Sequence, residues 1–79
     1  MWKEGTIGIP QKEGGYKAVH YWIKVYEEGS QFGINGGKIS KLMLKHDGEV
    51  IANYDRGWDV EPATEEANLA LCILLNEHN

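Results

Sequence analysis

Residues 32–40 read "FGINGGKIS". Three glycines and an asparagine stand beside Lys38 and Ser40, residue types that hold a phosphate when a glycine loop aims its backbone N–H groups at the anion. Such a loop joins a strand to a helix, whose N-terminus faces the phosphate. Here the residues that follow, Lys38 to His46, alternate as a strand does. Asn35-Gly36 between apolar neighbours suits the positive φ of a type I′ hairpin turn. The stretch is therefore expected to turn the chain, with Lys38 and Ser40 as ordinary strand residues.

A second cluster, "YDRGWD" at residues 54–59, sets Asp55 and Asp59 beside Arg56 and Trp58. Paired carboxylates are a minimum for acid–base work, but no serine or cysteine has a recognisable nucleophile setting and nothing completes a mechanism. No catalytic residue is assigned, and a non-enzyme is expected. One reading of the cluster is a strand exit, in which Gly57 supplies an unusual φ, Trp58 caps the core and Arg56 pairs with an acid. The other is a contact hot spot, where tryptophan and arginine are enriched. His20, His46 and His78 are scattered, and Cys72 is the single cysteine. No metal site, cofactor or internal disulfide is expected. Cys72 lies in the apolar run Leu69–Leu75 and is expected to be buried.

These groups need elements to place them. Period-two alternation is strongest in "YKAVHYWIKVYEE", with Val19, Tyr21, Ile23 and Val25 on one side and His20, Trp22, Lys24 and Tyr26 on the other. A short strand is expected at Gln31–Ile34, another over Lys38–His46, and a fourth over "EVIANYD" after an Asp47-Gly48 hairpin. "GTIGIP" adds a short strand near the start, followed by a mobile linker. Pro62 and "ATEEANLALCILLNEH" change the period to that of a helix. Proline suits the first turn, Glu61, Glu65 and Glu66 suit its dipole, and Ala63, Ala67, Ala70, Leu71 and Leu74 form its stripe.

The expected fold is α+β: a four- or five-stranded antiparallel β-meander followed by one C-terminal helix packed on one face. One domain spans 1–79, with 1–15 mobile or a short edge strand, 16–56 the meander and 62–77 the helix. Val19, Tyr21, Ile23, Val25, Leu42, Leu44, Val50, Ala52 and Tyr54 would meet the helix. His20, Trp22, Lys24, Tyr26, Lys41, Met43, Lys45, Ile51 and Asn53 would line the other face.

That other face is basic and aromatic. Aromatics on a sheet stack bases while lysines meet phosphates, and exposed apolar groups also mark protein contacts. The candidate partner-binding residues are Trp22, Lys24, Tyr26, Lys41, Met43, Lys45, Arg56 and Trp58. Charge is split along the chain. Residues 1–46 carry seven lysines and four glutamates, whereas residues 47–79 carry Arg56 against eight acids, for a net −4. This argues against nucleic acid as the leading partner. At 79 residues, with no disulfide or metal, a single core is marginal. The support is expected from a core rich in large side chains, which three Trp and four Tyr favour, or from a homodimer through Trp22 and Met43 on the sheet or Leu69, Ile73 and Leu75 on the helix. No apolar run is long enough to span a membrane and no signal-peptide pattern opens the chain, so a cytoplasmic protein is expected.

Over roughly residues 20–78, "GINGGKISKL" at Gly33–Leu42 and "YDRGWD" at Tyr54–Asp59 resemble a family of small uncharacterised domains of Firmicutes and their phages. The resemblance implies a mobile-element setting and, for a phage-encoded protein, the host cytoplasm. Small acidic proteins in that company are often inhibitors of host defence, anti-CRISPR proteins among them. The expectation is a small non-catalytic interaction protein that binds and blocks a host protein. The alternative is a module for nucleotides or single-stranded nucleic acid.

Overall fold

The computed structural model describes residues 1–78. Five antiparallel strands form one open sheet in chain order: β1 (Trp2–Pro10), β2 (Tyr16–Val25), β3 (Ile39–His46), β4 (Glu49–Asp55) and β5 (Trp58–Val60). Among the described residues one α-helix, α1 (Glu65–His78), follows. It packs against β1, β2 and β3 on the face expected from the alternation. Val19, Ile23, Leu42, Leu44, Ala52 and Tyr54 are buried there with Ala70 and Leu74 of the helix. The fold is α+β, and no described helix is long and apolar enough to cross a membrane.

β1 is a full edge strand of nine residues, longer than the short strand expected. Its partner β2 matches it without a register shift, from Trp2 opposite Lys24 to Pro10 opposite Tyr16. The turn between them, residues 11–15, closes on two local bonds: Gln11 N–H to the Gly15 carbonyl and Gly14 N–H to the Gln11 carbonyl, each 3.0 Å. Asp47-Gly48 forms the expected tight hairpin, with φ of 51° and 77°.

The stretch Gln31–Ile34 is not a strand. Residues 26–38 form one folded loop with a short 3₁₀ turn at Ile34–Gly36. Gly33 approaches the Gly37 carbonyl so closely that a Cβ would overlap it, and its backbone bonds stay inside the loop: its N–H donates to the Ser30 carbonyl and its carbonyl accepts from the Gly36 N–H, each at 3.0 Å. Ile34 drops into the core, 3% exposed, and the Tyr54 hydroxyl donates to the Phe32 carbonyl at 2.9 Å. The loop thus covers the part of the inner face near β4. Asn35-Gly36 does take positive φ, 55° and 71°, but within this loop and not as a two-residue link between strands.

Two bulges correct the expected faces. Lys24 pairs with Lys41 but Val25 with Ile39, so Ser40 is an extra residue. It is buried, and its hydroxyl donates to the Lys24 carbonyl at 3.4 Å. Likewise Leu44 pairs with Ala52 but Lys45 with Val50, so Ile51 is extra. A one-residue insertion reverses the side-chain parity beyond it. Val50 is therefore exposed, and Ile51 packs against the core.

The helix begins at Glu65, not in the turn of Pro62. Thr64 caps it, its Oγ1 accepting from the Ala67 N–H at 3.2 Å, and Pro62 lies before the cap. Ala63, expected in the buried stripe, precedes the helix and is exposed. Ala67, Ala70 and Leu74 are fully buried. Cys72 is exposed, contrary to expectation, because the buried stripe centres on the small residues and leaves the far side of the apolar run in solvent.

Candidate binding face

Alternation and register assemble the uncovered face of the sheet. One row across it runs Trp2, Lys24, Lys41, Asp55; the next runs Glu4, Trp22, Met43, Asn53. Thr6, His20 and Lys45 make a third. Five expected contact residues, Trp22, Lys24, Lys41, Met43 and Lys45, are thereby brought together. Tyr26 stands just past the end of β2, exposed, beside Lys24.

Aromatic rings organise the cations. Lys24 Nζ lies 5.9 Å from the centre of the Trp2 ring and 5.4 Å from that of Tyr26. Lys45 Nζ lies 5.7 Å from the Trp22 ring, and the His20 ring lies 4.4 Å from it, tilted by 35°. Among the described residues neither Lys24 nor Lys45 pairs with a carboxylate, whereas Lys41 lies 3.8 Å from Asp55. The ammonium of Lys24 beside Tyr26 draws its phenol below the ordinary value.

A depression of about 510 Å³ opens on this face, lined by Trp2, Trp22, Met43, Asn53, Asp55 and Asp59 among others. Both aspartates of "YDRGWD" therefore line it. Beside it runs a chain of polar contacts: Thr6 Oγ1 to His20 Nδ1 at 3.2 Å, and His20 Nε2 to Glu4 Oε2 at 2.8 Å. Hydroxyl, imidazole and carboxylate stand in the order of a relay, yet none of the three lines the depression. What the chain does is fix the imidazole against Trp22. Among the described residues no cluster of histidine, cysteine and acids could hold a metal.

The remaining expected residues lie elsewhere. Trp58 is half-buried on the covered face, edge-on to Tyr54 with ring centres 5.0 Å apart. Arg56 stacks over Phe32 at 5.3 Å and takes the positive φ, 62°, that was expected of Gly57. Leu69 and Ile73 are exposed on the helix, and Leu75 is half-buried against the core. Trp22 and Met43 thus lie on the opposite side of the sheet from the exposed helix residues. Trp2 and Glu4 were missed as site residues, because no strand was expected before Gly5. Their only signal was the spacing Trp2, Glu4, Thr6, which alternates once the strand is extended backwards.

A family model described as a domain of unknown function (DUF7678) matches residues 1–79. No curated protein and no solved structure matches the chain significantly.

Proposed function

The chain belongs to the DUF7678 family, whose model covers residues 1–79, and from that premise we propose that it is a non-catalytic protein-binding module. Its partner docks on the open face of the sheet. The observation that carries this reading is the grouping of Trp2, Trp22 and Met43 around one depression on the face the helix leaves uncovered. An aromatic centre ringed by polar groups is the usual anatomy of a contact hot spot. Lys24 and Lys45, held over rings and without a carboxylate partner among the described residues, suit an acidic partner surface.

The finer reading follows from the "GINGGKISKL" and "YDRGWD" segments. In it the protein is a phage-type inhibitor that blocks a host defence protein in the host cytoplasm. The two levels are tested together by affinity capture from a bacterial host, followed by binding measurements on each captured protein. Trp22→Ala should weaken binding at least tenfold, while Ile73→Ala on the helix should leave it unchanged. A plaque assay on defended hosts should show protection by the wild type that Trp22→Ala loses. Equal binding by both variants would refute the open face as the contact surface.

The alternative, stacking of a nucleobase on Trp22 with phosphates at the lysines, rests on the same residues. Titration with single-stranded oligonucleotides at low salt separates the two, since electrostatic binding is strongest there. Saturable binding that falls steeply with added salt would favour the nucleic-acid reading.

A further inference from the structure

The free edge of β1 carries an inference independent of the open face. Val25 N–H donates to the Met1 carbonyl at 2.8 Å, which sets the phase of the β1–β2 ladder. Odd-numbered residues of β1 turn their backbone groups towards β2. The N–H and C=O groups of Trp2, Glu4, Thr6 and Gly8 therefore point away from the sheet. β1 is first in the strand order, so among the described residues no strand pairs with that side.

Edges of this length are commonly interrupted by a bulge, an internal proline or a cluster of lysines. This one has no bulge and no internal proline, and its lysine, Lys3, stands alone. The other three ladders each contain a register shift, whereas β1–β2 is regular throughout. Pro10 ends β1 without interrupting it. At the opposite margin of the sheet, β5 is only three residues long.

We propose that β1 pairs antiparallel with β1 of a second copy, joining two sheets into one continuous sheet about a two-fold axis. Self-complementarity selects this occupant and its register. Only the outward-facing even residues can form hydrogen-bonded pairs. A register centred on Glu4 would oppose two like charges. One centred on Thr6 would set Trp2 against Pro10, which has no N–H to give. The register centred on Gly5 avoids both faults. It places Trp2 opposite Gly8 of the second copy, Glu4 opposite Thr6, Lys3 opposite Ile7, and Gly5 opposite itself. Four outward pairs then exchange about eight backbone hydrogen bonds. Each Trp2 ring gains a glycine across the seam to cover. The two open faces merge into one, so the inference adds a second docking face if the proposed function holds and stands without it if that fails.

Light scattering in line with gel filtration tests the pairing. At submillimolar concentration the wild type should show a mass near twice the 8.9 kDa of one chain. Thr6→Pro is the informative variant. It removes an outward N–H and leaves the inward ladder to β2 intact, and edge strands tolerate proline in that orientation. It should keep its circular dichroism spectrum and weaken the dimer about tenfold to a hundredfold. Amide hydrogen exchange supplies a second readout without any substitution: the Glu4, Thr6 and Gly8 amides should become protected as concentration rises. A wild type with the mass of one chain and unprotected edge amides overturns the proposal. So does a dimer that survives in folded Thr6→Pro, or one that dissociates with Trp22→Ala or Ile73→Asp instead.

Discussion

Neighbouring helix positions 73 and 74 give a sharp test of how α1 sits on the sheet. Leu74 has no exposed surface and joins the central core. Ile73, one residue earlier, is 37% exposed. Truncating a buried leucine to alanine costs about 2–5 kcal/mol, part lost transfer energy and part cavity. Leu74 is enclosed by strands on one side and by its own helix on the other, so little can collapse into the gap; ~3 kcal/mol is expected. In a domain of this size that lowers the melting temperature by about 12–24 °C. Ile73→Ala removes a side chain already half in water, and alanine's better helix propensity returns several tenths of a kcal/mol. Its net cost should stay below ~1 kcal/mol. Urea unfolding of both variants, followed by circular dichroism at low temperature, measures the difference. Equal costs, or a larger cost at Ile73, would mean that the helix is rotated on its axis. The placement of Leu69 and Ile73 in solvent would then be wrong.

Other substitutions probe the ends of the same helix. Thr64→Ala removes the cap on the Ala67 N–H and should cost about 1 kcal/mol, read as a fall of roughly 4–8 °C in melting temperature. Thr64→Asp, which caps as well, should retain most of that stability. At the other end, burial and then the nearby Lys3 hold the His78 imidazole below its ordinary value of 6.5. The folded state therefore binds this proton less readily than the unfolded chain. Its contribution to stability is complete above pH 6.5 and is lost as the pH falls below that value. Melting temperature should decline over that window, and His78→Gln should flatten the decline.

Much of the fold was legible because one physical signal, alternation, dominates β2, β3 and β4. The helix was legible through its stripe and its acidic first turn. What escaped has particular causes. β5 is three residues, "WDV", too short to show a period. β1 contains Gly5, Gly8 and two adjacent charges, all poor strand formers, and is held by its register with β2 rather than by propensity. The bulges at Ser40 and Ile51 each add one residue to a ladder, and a bulge is decided by tertiary pairing, not by local pattern. Hence Val50 and Ile51 exchanged faces. Ile34 looked like a strand residue because an apolar residue beside glycine reads alike in a ladder or in a loop that plugs a core. At the candidate site, Trp22, Lys24, Lys41, Met43 and Lys45 followed directly from parity on β2 and β3. Trp58 and Arg56 did not join them, because the pairing of Tyr54 with Trp58 turns the indole to the covered side.

The two long connections of the sheet differ in what they permit an engineer to do. The 26–38 segment is the longer, yet Ile34 and the Phe32 carbonyl anchor it into the interior. Lengthening it there would pull out part of the core. Residues 12–15 are all exposed, and the turn they belong to closes on local backbone bonds. A peptide epitope, a fluorophore attachment site or a small inserted domain placed between Lys12 and Glu13 should leave the ladders undisturbed. The molecule thus carries a natural port for display, at the end of the sheet opposite Trp2 and away from the depression.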